Sequence, residues 1–180
     1  MFTAPTNAVV VAREAMKAVW WIKRDFRIYD NLCLWAACKK ANLVVPFFCW
    51  EESVLNEGDY SSFHLQAQWE GLFGLTTSLQ KRGVATRVVI GEIVEQLDLL
   101  FSKMPFDELH SHQETGNLLT YKRDRAVQRW CDKMGIDWIE KNPSSVIRGG
   151  SAHQRRLRLK NTDFRKQAPL EIPELRKLQP

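Results

Sequence analysis

The sequence predicts an α/β fold in which a five-stranded parallel sheet is covered by helices on both faces. Two observations carry this prediction: five short apolar runs recur along the chain, and segments with a helical period separate them. Short runs that are apolar throughout are typical of strands buried on both faces. Helical connections favour parallel pairing through right-handed crossovers, so the sheet is expected to be doubly wound.

Each element has its own signal. The strands are predicted at residues 18–22, 43–49, 84–90, 106–111 and 136–139. The helices are predicted at residues 32–41, about 61–82, 91–103 and 118–134. Asn31 is a favourable N-cap for the first helix, and Gly83 and Gly135 are typical helix ends. Pro46 complicates the second strand because proline removes one ladder donor.

The long helix shows the clearest period. Its apolar face is predicted from residues that recur at helical spacing, namely Leu65, Trp69, Leu72, Phe73, Thr76 and Leu79.

Two flanking segments do not follow the alternation. Residues 8–17 have a helical composition and precede the first strand, so residues 1–17 are predicted to be an extension. Residues 149–180 contain two adjacent glycines, a basic run and three prolines, which is typical of a linker. The globular domain is therefore predicted to span residues 18–148.

Composition and charge limit the class of protein. With 44% hydrophobic and 26% charged residues the chain has a soluble globular composition. No apolar run is long enough for a membrane span and no signal peptide is visible, so we expect a cytoplasmic protein with no membrane partner. The four cysteines form no C-x-x-C pair and are expected to be free thiols. Residues 148–180 contain nine Lys/Arg and three Asp/Glu, so the net charge of +5 belongs to the tail. We therefore expect little nucleic-acid affinity in the globular part.

Nucleotide-binding motifs are missing where this fold would carry them. No G-x-G-x-x-G follows the first strand, and there is no G-x-x-x-x-G-K-[ST]. Residues 20–31, WWIKRDFRIYDN, instead place alternating cations and carboxylates at the carboxyl end of the first strand. Arg24 and Arg27 are able to bind carboxylates or phosphates. The alternative is a salt-bridge network that only shapes the loop.

This segment resembles the R-x-D-L-R-x-x-D-N signature of the photolyase/cryptochrome family, with Phe26 in place of the usual leucine. Residues 114–124, ETGNLLTYKRD, resemble the family's acidic residue and following Arg-Asp after the fourth strand. Residues 138–140 and 146–148 resemble the exit from the fifth strand. The resemblance covers residues 19–148 and implies the family's amino-terminal, Rossmann-like antenna domain.

The family resemblance implies cofactors and partners. FAD is expected only in a carboxyl-terminal helical domain, which would be this domain's partner and which these 180 residues do not supply. The amino-terminal domain is expected to hold an antenna chromophore, which in this family is a folate, a deazaflavin or FMN. The parent is then a deoxyribodipyrimidine photo-lyase that acts on ultraviolet-damaged DNA, and this domain alone is not expected to be catalytic. A cryptochrome blue-light receptor and a free-standing chromophore- or nucleotide-binding protein are the alternatives.

The candidate site lies where ligands bind in such sheets, outside the carboxyl ends of the strands at the reversal of strand order. The pocket is expected at the carboxyl ends of the first, second and fourth strands, with its polar lining from the loops after the first and the fourth. The candidate chromophore contacts are Lys23, Arg24, Asp25, Gln113 and Glu114. An acceptor such as Asp25 or Glu114 suits ring N–H groups, and Arg24 suits an acidic group. The alternative is that Asp25 pairs with Arg24 or Arg123 and only shapes the loop.

Two further features have modest signals. His110 and His112 lie two residues apart in a strand and are able to point to one face, but no third metal ligand is near in the sequence, so no metal is predicted. The basic run at residues 155–160 is interpreted as a solvated linker, with contact to DNA phosphates as the alternative.

Overall fold

The apolar runs form a five-stranded sheet in which the neighbouring strands are parallel. The computed structural model describes residues 15–58, 60–142, 151, 154 and 168–173. The strand order is β3-β2-β1-β4-β5, so the predicted fold class is confirmed. The elements in chain order are β1 (Lys17–Ile22), α1 (Leu32–Lys40), β2 (Leu43–Trp50), α2 (Glu52–Leu55), α3 (Ser62–Gln80), β3 (Arg87–Ile90), α4 (Ile93–Lys103), β4 (Glu108–His112), α5 (Leu118–Met134) and β5 (Asp137–Lys141).

The order of the strands places the reversal between β1 and β4. The chain runs from β1 through β2 to β3 on one side, and then crosses to β4 and β5 on the other. Parallel strands end at the same edge of the sheet, so the loops after β1 and β4 leave it side by side. This is the edge that the sequence predicts for a ligand.

Side chains alternate between two cores, one on each face of the sheet. Trp20, Ile22, Phe48 and Trp50 pack on one face against α1 and α3. On the other face Val19, Trp21, Val45, Phe47 and Leu109 pack against α4 and α5. Strands covered on both sides explain why the runs in β1 and β2 are apolar at every position.

The helix ends agree with the residues that flank them. Asn31 accepts a hydrogen bond from the Leu34 backbone N–H and caps α1. Gly135 ends α5 in the left-handed region at φ 70°, where a residue without a Cβ is favoured. β2 continues through Pro46, which lies opposite Trp20 of β1.

Three details differ from the sequence-based expectation. β3 is shorter than predicted because it meets only the carboxyl half of β2, from Phe47 onward. Phe106 is buried against α4 and α5 but precedes β4. The polar stretch after β2 contains the short helix α2, which was not predicted.

The apolar face of α3 also differs from the prediction. Its buried side chains are Leu72, Leu75 and Leu79, whereas the other large apolar residues of the predicted face, Leu65, Trp69 and Phe73, are exposed. The helix therefore packs on one flank of its apolar stripe and leaves the other flank to solvent.

A short part of the tail contacts the first loop. The Asp30 backbone N–H donates to the Leu170 carbonyl at 2.9 Å, and the Leu170 N–H donates to Asp30 Oδ1 at 3.2 Å. Lys17, assigned to the extension by the sequence, belongs to β1. The domain boundaries stay predictions, because residues 1–14 and 143–150 and the basic run lie outside the described residues. Within the described part of the chain, no helix has the length and hydropathy to span a membrane.

Candidate functional site

Three loops meet above the carboxyl edge of the sheet and enclose a cleft. The loops follow β1, β2 and β4, and the first turns of α3 and α5 complete the walls. The cleft consists of two adjoining cavities of about 40 and 420 Å³, the smaller nearer the sheet. The two cavities share Arg24, Val54, Tyr60, Gln68 and Thr120. We call this space the carboxyl-edge cleft.

Asp25 is held by hydrogen bonds from the protein itself. Its carboxylate accepts from Trp20 Nε1 at 3.2 Å, from the Lys23 backbone N–H at 3.1 Å and from Asn31 Nδ2 at 2.9 Å. His112 Nδ1 lies 2.9 Å away. Burial raises the pKa of Asp25, but the contact with His112 and the bonds from Asn31 and Lys23 outweigh it and leave the pKa below its ordinary value. Asp25 thus fixes the first loop, and the side chain that contacts its carboxylate is His112 rather than Arg24 or Arg123.

Lys23 is buried beside two carboxylates. Its Nζ lies 3.1 Å from Asp124 Oδ2 and 3.8 Å from Glu140 Oε1, and 4.2 Å from the centre of the Trp21 ring. Burial lowers the pKa of Lys23, and the charge of Asp124 offsets this only in part. The ammonium therefore joins β1 to α5 and β5 beneath the cleft.

Glu114 and Arg123 form a charged wall of the cleft. Glu114 Oε1 accepts from the N–H groups of Thr115 and Gly116, and its Oε2 lies 3.6 Å from Arg24 Nε and 3.5 Å from Arg123 Nη2. Arg123 also contacts Glu51 and Asp124. Burial lowers the pKa of Arg123, but these carboxylates outweigh it and hold the pKa above its ordinary value. The wall is thus preorganised before any ligand binds.

Arg24 differs from its neighbours because its side chain is 62% exposed. It lines both cavities, so a cation stands at the mouth of the cleft. Lys23 and Glu114 line the smaller cavity, whereas Asp25 and Gln113 line neither. The Gln113 backbone N–H donates to the Lys141 carbonyl. The structure thus brings the predicted residues together at one edge of the sheet, and their contact with a chromophore stays a prediction.

Glu51 was not among the candidate contacts predicted from the sequence. It follows β2 directly, lines the smaller cavity and is 5% exposed. Arg123 Nη1 donates to Oε1 at 2.9 Å, while Oε2 has no hydrogen-bond partner within the described residues. Burial raises the pKa of Glu51, opposed by Arg123. Its position at the end of a central strand was a visible signal, but its unsatisfied oxygen depends on a tertiary contact.

The two histidines of β4 lie in the interior and not at the surface. His110 Nε2 is 2.9 Å from Glu108 Oε2, and His112 contacts Asp25 as described. Burial lowers the pKa of His110, although Glu108 opposes it. In the part of the chain that the structure describes, no three His, Cys, Asp or Glu side chains are grouped so as to hold a metal ion.

The comparison with protein families agrees with this architecture. The family model described as DNA photolyase matches residues 18–168. The chain belongs to the DNA photolyase family. The match contains β1 from Ala18 onward, all of β2 to β5, and every residue that lines the carboxyl-edge cleft.

Solved photolyases share the fold of this photolyase-family domain. The class III photolyase of Agrobacterium tumefaciens is 19% identical with a TM-score of 0.73, and the match covers 96% of this chain and 37% of that one. The photolyase of Sulfolobus tokodaii is 20% identical with a TM-score of 0.72, over 89% of this chain and 38% of that one.

A curated relative of the photolyase-family domain is the blue-light photoreceptor PHR2 of Arabidopsis thaliana. It is 28% identical over 120 residues, which are 63% of this chain and 26% of PHR2. The chain spans less than half the length of the curated relatives and of the solved photolyases that it matches.

Proposed function

We propose that this domain is the light-harvesting domain of a DNA photolyase and binds an antenna chromophore in the carboxyl-edge cleft. The observation that carries the proposal is the Oε2 atom of Glu51, a buried acceptor without a hydrogen-bond partner in the described residues. A buried carboxylate oxygen left unsatisfied is costly, so a donor from a ligand is the natural partner. The cleft fits the ligand class in size as well.

The chemistry of the cleft suits a flat heteroaromatic ring with an acidic tail. Flavin, deazaflavin and pterin rings all carry N–H donors that match the Glu51 acceptor. Phe26 and Tyr60 supply aromatic surface in the outer cavity. Arg24 at the mouth suits the phosphate of FMN or the carboxylates of a folate. These contacts orient the ring toward the sheet and the tail toward solvent.

Two relatives support different readings of the whole protein. The Sulfolobus tokodaii photolyase is described with two FAD molecules and a novel light-harvesting cofactor, which supports an antenna role for the domain. The similarity to PHR2, named as a blue-light photoreceptor, favours a cryptochrome-like receptor as the second candidate. For a photolyase and for a receptor alike, an FAD domain would be the partner of this domain. Damaged DNA is the substrate only if the whole protein is a photolyase.

Chromophore binding is expected to depend on Glu51. Titration with FMN, a deazaflavin or a folate, followed by ligand fluorescence, is expected to show saturable binding of at least one. Glu51→Gln replaces a charged acceptor, so we expect the dissociation constant to rise about tenfold or more. The matched control is Glu52→Gln, an exposed neighbour that is expected to leave binding unchanged. Absence of binding for all three ligands, or equal affinity of Glu51→Gln and the native chain, would contradict the proposal.

Arg24 provides a test of ligand orientation. If its guanidinium meets the acidic tail, Arg24→Ala is expected to weaken FMN binding several-fold and to leave riboflavin, which lacks the phosphate, unaffected. The measurement is the same fluorescence titration with the two flavins. An equal loss for both flavins would show that Arg24 contacts the ring or only supports the loop.

The pH dependence of binding gives a third measurement. A ligand N–H bonds best to ionised Glu51, and burial raises the pKa of that carboxyl. Affinity is therefore expected to fall as the pH drops through this raised pKa, at a higher pH than an ordinary glutamate would cause. In Glu51→Gln this decline is expected to disappear. A native profile that stays flat down to the ordinary glutamate pKa of about 4.3 would contradict the role of Glu51.

A further inference from the structure

Strand β3 leaves an open edge at one end of the sheet. Within the described residues it pairs only with β2. The Gly91 N–H donates to the Trp50 carbonyl, so the backbone groups of Val89 also point toward β2. Because these groups alternate along a strand, those of Val88 and Ile90 point outward. The edge therefore presents donors and acceptors that another strand is able to satisfy.

Apolar side chains border this edge on both faces of the sheet. On the α3 face, Val88 is 43% and Ile90 67% exposed. Ile90 pairs with Trp50, whose ring lies 6.5 Å from that of Trp69, itself 61% exposed. On the α4 face, Leu99 is 52% exposed beside a cavity of about 390 Å³ along β3. Exposed apolar side chains grouped along one edge of a sheet are typical of interaction sites. We call it the β3-edge surface.

We propose that the β3-edge surface binds a second copy of this chain, whose β3 adds antiparallel to form a continuous ten-stranded sheet. A two-fold axis beside Val89 sets Val88 opposite the partner's Ile90, and Ile90 opposite the partner's Val88. Both members of each pair have outward-pointing backbone groups, so each pair exchanges two hydrogen bonds. Residues of the same face also stay on the same face, since the paired positions differ by an even number. The proposal is independent of chromophore binding.

The charge pattern on α4 favours a second copy over an unrelated partner. Leu99 and Lys103 line the cavity along β3, and Glu95 lies one helical turn before Leu99, at the same four-residue spacing. The same two-fold axis sets the two copies of α4 antiparallel, with Leu99 near the axis. Glu95 then lies toward the partner's Lys103, and Lys103 toward the partner's Glu95. In this arrangement the order of an acidic, an apolar and a basic residue along α4 is complementary to the same order in the partner, as an isologous interface requires.

Sedimentation velocity of the full 180-residue chain, over about a hundredfold range of concentration, measures the association. We expect a monomer–dimer equilibrium for the native chain. Ile90→Lys places a charge in the new sheet, so we expect the dissociation constant to rise tenfold or more. The control is Leu118→Lys, an equally exposed apolar residue on α5, which is expected to leave the dimer intact.

Charge reversal tests the register without disturbing the fold, because both residues are exposed. Glu95→Lys and Lys103→Glu are each expected to weaken the dimer about fivefold, and the double variant is expected to restore it. A native chain that stays monomeric at every concentration overturns the proposal. So does a dimer that Ile90→Lys leaves intact, or a double reversal that fails to restore association.

Discussion

Replacing Asp25 with alanine is expected to lower the free energy of unfolding by about 4 kcal/mol, the largest single effect in the site. The substitution removes the buried acceptor for Trp20 Nε1 and for the Lys23 N–H. It also removes one acceptor of Asn31 Nδ2, which keeps its bond to the Arg27 carbonyl. Each buried donor left without a partner costs about 1–3 kcal/mol. For a domain of this size the loss corresponds to roughly 10 °C in melting temperature. Urea unfolding at pH 7 is the measurement.

Two comparisons make this result specific. Asp132→Ala removes an exposed carboxylate that accepts a hydrogen bond from Gln128 on α5, and a change below about 0.5 kcal/mol is expected. The second comparison is pH. Because the pKa of folded Asp25 lies below its ordinary value, its ionised form contributes fully above about pH 3.9, and the contribution is lost as the pH falls through the folded pKa. The difference in the free energy of unfolding between the native chain and Asp25→Ala should therefore become smaller as the pH is lowered. An Asp25→Ala variant as stable as Asp132→Ala at pH 7 would contradict the network.

The fold was open to prediction because each strand carries its own local signal. β1 and β2 are apolar at nearly every position since helices cover both of their faces, and this pattern is visible without any tertiary information. The first and last residues of β3 could not be predicted from the sequence. Val84 is buried like a strand residue, yet pairing with β2 begins only at Arg87. Strand ends depend on the partner strand and not on the segment itself.

The orientation of α3 shows a second limit. Its sequence contains a wide apolar stripe, and spacing alone does not say which flank is buried. Leu72, Leu75 and Leu79 face the sheet, and Trp69 and Phe73 remain exposed. On this exposed flank, the Trp69 ring lies 6.5 Å from that of Trp50, which pairs with Ile90 of β3, and so becomes part of the proposed dimer surface. An apolar stripe that is wider than the core requires thus indicates a binding surface, but the structure is needed to show which side of the stripe is exposed.

The position of the cleft was predictable from the sequence, but the contacts of its individual charged residues were not. The motif after β1 and the acidic residue after β4 lie at the strand-order reversal, as the fold class requires. Adjacent residues of the motif nevertheless have different roles: Arg24 faces the cleft mouth, whereas Asp25 turns inward to His112. His112 is 87 positions away in sequence. Such tertiary partners decide which charged side chains support the loop and which remain open to a ligand.

Replacing Lys23 with methionine is expected to destabilise the domain by about 3 kcal/mol. The ammonium is buried between Asp124 and Glu140, and its removal leaves two carboxylates beneath the cleft with one cation fewer. Breaking a buried ion pair by removing one partner costs about 3–5 kcal/mol, although Arg123 remains beside Asp124 and offsets part of the loss. Arg24→Met is the matched control. It removes the cation next in the sequence, whose side chain is largely exposed, so the free energy of unfolding is expected to change by less than about 1 kcal/mol.

A double-mutant cycle separates this ion pair from simple packing. In Asp124→Asn the pair is already broken, so Lys23→Met is expected to cost clearly less there than in the native chain. The cycle is measured by urea unfolding of the four chains at pH 7, with near-ultraviolet circular dichroism to report the packing of Trp21, over which the ammonium lies. Equal costs in both backgrounds would mean that Lys23 acts through the packing of its aliphatic chain alone. A coupling of the sign expected here would instead show that β1 and α5 are joined electrostatically below the cleft, so that its floor and the Arg123 wall are positioned as one unit.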